Sequence, residues 1–156
     1  MKIEPLTKSA FAPFGDVIET DGAKHFTINQ GFATRFDDLA NVDVIDGGAV
    51  KVSLFEAHPR PAPIQIDLME RHPLGSQAFY PLQDEAWLVV VCGDPRDATS
   101  FRCFRASGRQ GVNYARNTWH FPLLVFAPSR FIVVDRKGPG NNLEEFPLST
   151  VTEIGT

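Results

Sequence analysis

Apolar and polar positions alternate along much of this chain, most clearly between residues 63 and 72. There Ile64, Ile66, Leu68, Glu70 and His72 fall on one set of alternate positions, and Gln65, Asp67, Met69 and Arg71 on the other. Side chains on a strand repeat every second residue, so this pattern predicts a strand with an apolar, core-facing side that ends in Glu70 and His72. Ionisable groups pointing inward are costly unless paired, metal-bound or set in a polar cavity. Short strand-like runs separated by turn signals predict further strands near 2–5, 15–20, 49–57, 76–82, 86–92, 100–106, 111–115, 119–126 and 130–136. Only "TKSAFAPFG" at 7–15 predicts a clear helix, with Thr7 as N-cap and Gly15 beyond its end. "TRFDDLANV" suggests one more helical turn. Pro-rich "AHPRPAP" at 57–63 and the turns "GDPRDATS" and "KGPGNN" separate the strands. Many short strands with close turns predict an all-β fold, an antiparallel barrel or sandwich with one or two short peripheral helices.

The length of 156 residues fits a single domain, 1–156, with a substantial core. The longest apolar run, "AWLVVVC" at 86–92, suits a buried strand and is too short for a membrane helix. The N-terminus "MKIEPLTKSA" has no signal-peptide apolar region, and Cys92 and Cys103 lie in apolar strand-like runs, so a cytoplasmic, reduced protein is expected. A net charge of −4 argues against nucleic acid or an anionic membrane as partner. The charge is unevenly spread, however. Residues 1–95 carry 7 Lys and Arg against 14 Asp and Glu, while 96–137 carry 8 against 2. Either the two segments neutralise each other across the fold, or some of Arg102, Arg105, Arg116 and Arg136 line a pocket for a small anion.

No G-x-S-x-G, P-loop or C-x-x-C motif is present. The adjacent carboxylates Asp37/Asp38 and Glu144/Glu145 are expected to be solvated, and His25 and His58 to lie on the surface. His120 opens the apolar stretch "HFPLLVF". Alone it reads equally well as a core histidine, but with Glu70, His72 and Gln77 it forms the polar set expected at a barrel mouth that binds a small molecule.

That spacing resembles a cupin barrel, which carries H-x-H, then Glu five residues on, then a later His. Here Glu70-x-His72, Gln77 and His120 occupy those places. The longer stretches "ERHPLGSQAF", "GVNYARNTWHFPL", "HFTINQGFATRF" and "VDRKGPGNN" resemble the ureidoglycolate lyase family from about residue 1 to 145. Relatives carry further histidines where this chain has Ala115 and Phe121. The resemblance implies a cupin-type barrel, usually a homodimer, that splits ureidoglycolate into glyoxylate and urea during allantoin breakdown. It also implies a divalent metal, nickel among the candidates, and no organic cofactor.

Cleavage of such a carbinolamide needs a base for the hydroxyl, a donor to the departing nitrogen and a clamp for the carboxylate. Glu70, His72 and His120 are the expected catalytic set, and with Gln77 they are also the expected metal ligands. Arg35, beside "INQG", is the first candidate clamp because its planar fork matches a carboxylate, with Arg102 and Arg136 in reserve. Asn29, Ser53 and Gln77 are expected to hydrogen-bond the ureido group. A non-catalytic cupin that binds a small carboxylate, and a cupin enzyme acting on another 2-hydroxy acid, are the competing readings.

Overall fold

The order of elements follows the expected alternation of strand and turn, and the computed structural model describes residues 1–155 of it. The strands are β1 (Ile3–Pro5), β2 (Gly15–Ile18), β3 (His25–Ile28), β4 (Ala33–Phe36), β5 (Ala49–Ala57), β6 (Ile64–Arg71) and β7 (Gln77–Pro81). They continue with β8 (Trp87–Cys92), β9 (Phe101–Ala106), β10 (Gly111–Tyr114), β11 (Trp119–His120), β12 (Leu124–Val125), β13 (Ser129–Lys137) and β14 (Glu144–Ile154). One short helix, α1 (Lys8–Phe11), and two 3-10 turns complete the fold.

Two sheets curl into an open barrel, as the all-β expectation requires. One runs β1-β9-β8-β11-β6-β14, with β12 also on β8; the other runs β2-β10-β7-β13-β5. All pairings are antiparallel except β1 with β9. Along β8 the side chains divide by alternation. Trp87, Val89 and Val91 join a cluster between the sheets with Phe79, Tyr114, Phe131 and Val133. Leu88, Val90 and Cys92 join a second cluster on the opposite face with Ile64, Ile66 and Met69.

Four local expectations are corrected. α1 keeps Thr7 as its cap, whose hydroxyl accepts from the Ala10 N–H at 3.2 Å, but it stops at Phe11. Pro13 has no N–H with which to bond Ser9, so the helix cannot run on to residue 15. Gly15 instead begins β2 at φ +145°, where a Cβ would lie 1.9 Å from the Asn113 carbonyl oxygen. "TRFDDLANV" is not helical: its start is β4, paired with β3 in a separate hairpin. The expected strand 119–126 is broken into β11 and β12, since Pro122 between them has no N–H to donate to a ladder. The sequence pattern predicts no strand in the tail, yet the eleven-residue β14 pairs with β6 on both sides of a register shift. Its exposed alternate positions and Pro147 suit a sheet edge.

A fifth correction bears on the site. Ile64 and Ile66 do not share a face with Glu70. They pack with Met69 on the outer cluster, so the alternation slips by one residue between Ile66 and Met69. The β6–β14 register shifts at this point, between Pro147 and Thr152. Glu70 nevertheless points inward, because His120 sits directly across from both Glu70 and Val91, and Val91 belongs to the cluster between the sheets. Paired residues on neighbouring strands project to the same side.

Candidate functional site

Glu70 lies at the end of β6 and His72 just beyond it, and Gln77 opens β7 across the connecting turn. His120 comes from the two-residue strand β11, wedged between β6 and β8. One ligand atom from each of Glu70, His72 and His120 lies within 4.8 Å of the others. His120 Nε2 is 3.4 Å from Glu70 Oε1, and the two imidazole rings are 5.2 Å apart. Tyr114 stacks on His120, centroid to centroid 4.1 Å and 12° from parallel.

Both histidines are held at Nδ1. His120 Nδ1 donates to the Thr118 carbonyl at 2.9 Å and His72 Nδ1 to the Asn142 carbonyl at 2.7 Å. A carbonyl only accepts, so in the neutral rings the proton resides on Nδ1 and Nε2 carries the lone pair. His120 Nε2 is buried with no hydrogen-bond partner. His72 Nε2 faces Gln77 Oε1 at 3.1 Å, while the Gln77 amide nitrogen donates to Asp135 at 3.3 Å. Asp135 in turn lies 3.7 Å from Lys51. Two acceptors therefore face His72, an arrangement suited to the imidazolium. Burial, helped by the charge of His120, outweighs this and pulls the ring below the usual histidine range. For Glu70, burial pushes the carboxyl up, but the close approach and charge of His120, with His72 and Arg60, outweigh burial and keep it below the usual carboxylate range. The Tyr114 phenol is driven upward by burial and by Glu70, so it stays protonated and can donate.

This donor set fits a divalent cation. It offers one carboxylate and two imidazoles, each imidazole oriented by a carbonyl at its far nitrogen, and one lone pair already left without a partner. Gln77 Oε1 stands beside His72 as a weaker fourth donor.

The site opens into a cavity of about 360 Å³. Glu56, Glu70, Gln77, Tyr114 and His120 supply its polar wall, and Phe55, Phe79, Phe121 and Leu123 much of the apolar one. His72 is not among the lining side chains. Tyr114 and Glu56 are polar lining residues that the sequence did not mark as candidates, and Tyr114 is the one in contact with the cluster. The signal for Tyr114 was the spacing in "GVNY", which puts Val112 and Tyr114 on the same buried face. Of the two positions where the family resemblance led to an expectation of histidine, Phe121 lies on the cavity wall, whereas Ala115 is exposed outside it.

The other sequence candidates lie apart from the cavity lining. Arg35 is exposed on β4 and pairs with Asp37 at 2.7 Å; Asn29 is exposed at the tip of the same hairpin, at φ +53°. Ser53 lies on β5, opposite Val133. Arg102 holds Glu4 at 2.9 Å and the Ala10 carbonyl. Arg136, 4% exposed, donates to the carbonyls of Ile45, Asp46 and Pro139. Arg116 pairs with Asp43 at 3.1 Å. The pairs Arg102–Glu4 and Arg116–Asp43 each join the basic segment to the acidic one, so neutralisation across the fold is the role seen for these arginines. Glu144, expected to be solvated, takes a hydrogen bond from Arg71 at 2.6 Å.

Residues 1–154 match a family model described as ureidoglycolate lyase. The chain is 57% identical over 149 residues to ureidoglycolate lyase 1 of Rhizobium meliloti (strain 1021), covering 94% of this chain and 88% of that relative. It is 56% identical over 149 residues to ureidoglycolate lyase of Burkholderia mallei (strain NCTC 10229), covering 93% and 87%. Among solved structures, a dTDP sugar isomerase from Desulfovibrio desulfuricans G20 superposes with a TM-score of 0.47 at 14% identity, covering 86% of this chain and 85% of that one.

Proposed function

The chain belongs to the ureidoglycolate lyase family, and from that premise we propose that it splits ureidoglycolate into glyoxylate and urea in the cavity bordered by Glu70 and His120. The observation that carries this reading is the convergence of Glu70, His72 and His120 within 4.8 Å beside a cavity sized for a small molecule.

The reaction moves one proton off the carbinol hydroxyl and one onto the urea nitrogen as the carbon–nitrogen bond breaks. Glu70 is held ionised, so it accepts the hydroxyl proton and returns it to the leaving nitrogen. The hydroxyl oxygen becomes the aldehyde oxygen of glyoxylate, and the bonding electrons leave with urea. The Tyr114 phenol donates a hydrogen bond to the oxygen that gains charge. His120, packed between Tyr114 and Glu70, positions the carboxylate. His72, outside the cavity lining, acts through the Nε2 lone pair it presents to the cluster rather than by touching substrate. Glu70, His72 and His120, with Gln77 beside them, would hold a divalent ion, nickel being one that suits two imidazoles. When bound, such an ion would polarise the hydroxyl and offset developing negative charge.

Two further readings accompany this one. The substrate is an intermediate of purine nitrogen breakdown in the cytoplasm; Cys92 and Cys103 are free and buried, with their thiols pushed up by burial to about 12 and about 11, which suits a reducing compartment. The chain also works as a homodimer. The apolar face left open is not the 119–126 segment, which is largely buried within the chain, but the outer side of β5-β13-β7. There Leu54, Ile132 and Tyr80 form one cross-strand row with Val52 beside it, all exposed. The deciding experiment for function follows glyoxylate release from ureidoglycolate with a coupled reductase. No glyoxylate from the purified wild-type protein, with or without added divalent metal, overturns the reading.

A further inference from the structure

We infer that Arg60, on the loop between β5 and β6, is the group that binds the substrate carboxylate, held at the cavity rim by the ring of Phe121. The inference rests on the reading above, in which the substrate is a small carboxylate. None of the side chains lining the cavity is a lysine or an arginine, and two of them, Glu56 and Glu70, are acidic. An anion entering there needs a cation from nearby. Glu56 is offset by Arg130 at 3.4 Å, so Arg130 is already committed. Arg35, Arg71, Arg102 and Arg116 are engaged with Asp37, Glu144, Glu4 and Asp43, and Arg136 with three carbonyls. Arg60 makes no ion pair among the described residues.

Its guanidinium carbon lies 4.6 Å from the centroid of Phe121, and Phe121 is a cavity wall. Stacking uses the flat face of the guanidinium and leaves the N–H donors at its edge free for a planar carboxylate. Prolines flank Arg60 on both sides, Pro59 and Pro61, and fixed backbone angles at those positions reduce what the loop loses on binding.

The test compares wild type with Arg60→Gln and Arg60→Lys in ureidoglycolate turnover, with inhibition by glyoxylate, an anion, and by urea, which is neutral. Loss of a charge-assisted pair should raise KM roughly 10- to 100-fold in Arg60→Gln while kcat stays within about threefold. The glyoxylate inhibition constant should rise in step and the urea constant should not move. Arg60→Lys should recover part of the loss, because an ammonium keeps the charge without the fork. Unchanged KM and glyoxylate inhibition in Arg60→Gln overturn the assignment. Absence of turnover in the wild type would instead remove the lyase reading. Calorimetric titration with glyoxylate then decides Arg60 by itself: weaker binding in Arg60→Gln supports the clamp, and equal or absent binding in both proteins overturns it.

Discussion

His120 and Glu70 are direct cross-strand neighbours, with Nε2 of one 3.4 Å from Oε1 of the other. Fifty residues separate them in the chain, and a strand of only two residues, β11, brings them together. Because His120 is 2% exposed, the contact lies out of bulk water, where a charge neighbour acts more strongly than at a surface. The pair therefore positions the carboxylate that the proposed reaction uses.

Glu70→Gln keeps the shape of the side chain and removes the proton acceptor. The expected result is a fall in kcat of about 10²-fold or more, with a folded protein and a smaller change in KM. Steady-state glyoxylate production with a matched circular dichroism spectrum checks it. Wild-type kcat would remove Glu70 from the proton path.

Metal content separates ligation from positioning. His72→Ala and His120→Ala should each lose most of the divalent metal found in wild type purified without chelators, as read by elemental analysis. Chelation of the wild type should lower its Tm, because a bound ion stabilises the folded state alone. Wild-type protein without stoichiometric metal, and fully active, would restrict the cluster to acid–base and positioning roles.

Acid should destabilise the metal-free protein in two stages. Burial, with His120, lowers the His72 pKa from its ordinary 6.5, so below that value the unfolded chain binds a proton that the fold resists. Stability is thus present above about pH 6.5 and declines as pH falls through the lower folded value. Glu70 adds a second loss below its ordinary 4.5, since its folded pKa is also lowered: burial raises it, but His120 outweighs burial. Tm measured from about pH 8 to about pH 4 should hold down to about pH 6.5 and fall below it, and His72→Gln should flatten the first stage. An equal slope in His72→Gln would assign the loss to other groups.

Arg136→Ala should unfold the protein more easily rather than weaken substrate binding. Removing the guanidinium strands the carbonyls of Ile45, Asp46 and Pro139, at a cost on the order of 3 kcal/mol. Chemical denaturation gives that cost, and KM at a permissive temperature should stay near wild type. A large rise in KM with unchanged stability would return Arg136 to the substrate.

Val52→Asp combined with Leu54→Asp places charge on the open face of β5, where both residues are exposed. Sedimentation should shift from dimer to monomer at micromolar concentration, with little loss of monomer stability because neither side chain is in the core. A wild-type protein that is already monomeric would locate no partner on this face.

The sequence by itself determined most strands and the donor set. Strand-like runs between turn signals marked β5 to its exact ends and β6, β7, β8, β9 and β13 to within a residue or two, because short apolar or alternating runs bounded by turns suit buried and half-buried strands. Thr7 was legible as a cap, since its hydroxyl meets an orphan N–H three residues on whatever packs above it. Glu70, His72, Gln77 and His120 stood out as polar residues in apolar surroundings. What the alternation could not show was the slip within β6. Glu70 faces inward by its pairing with His120, not by sharing a face with Ile64 and Ile66, and that shift depends on the bulged partner β14. The arginines were decided only by tertiary structure as well. A guanidinium reaches several ångströms from its backbone, so sequence position says little about its partner, and Arg35, Arg102 and Arg136 found theirs away from the cavity. Arg60, within a Pro-rich loop that sequence marked only as punctuation, came to lie over a cavity wall because chain folding brought Phe121 beneath it.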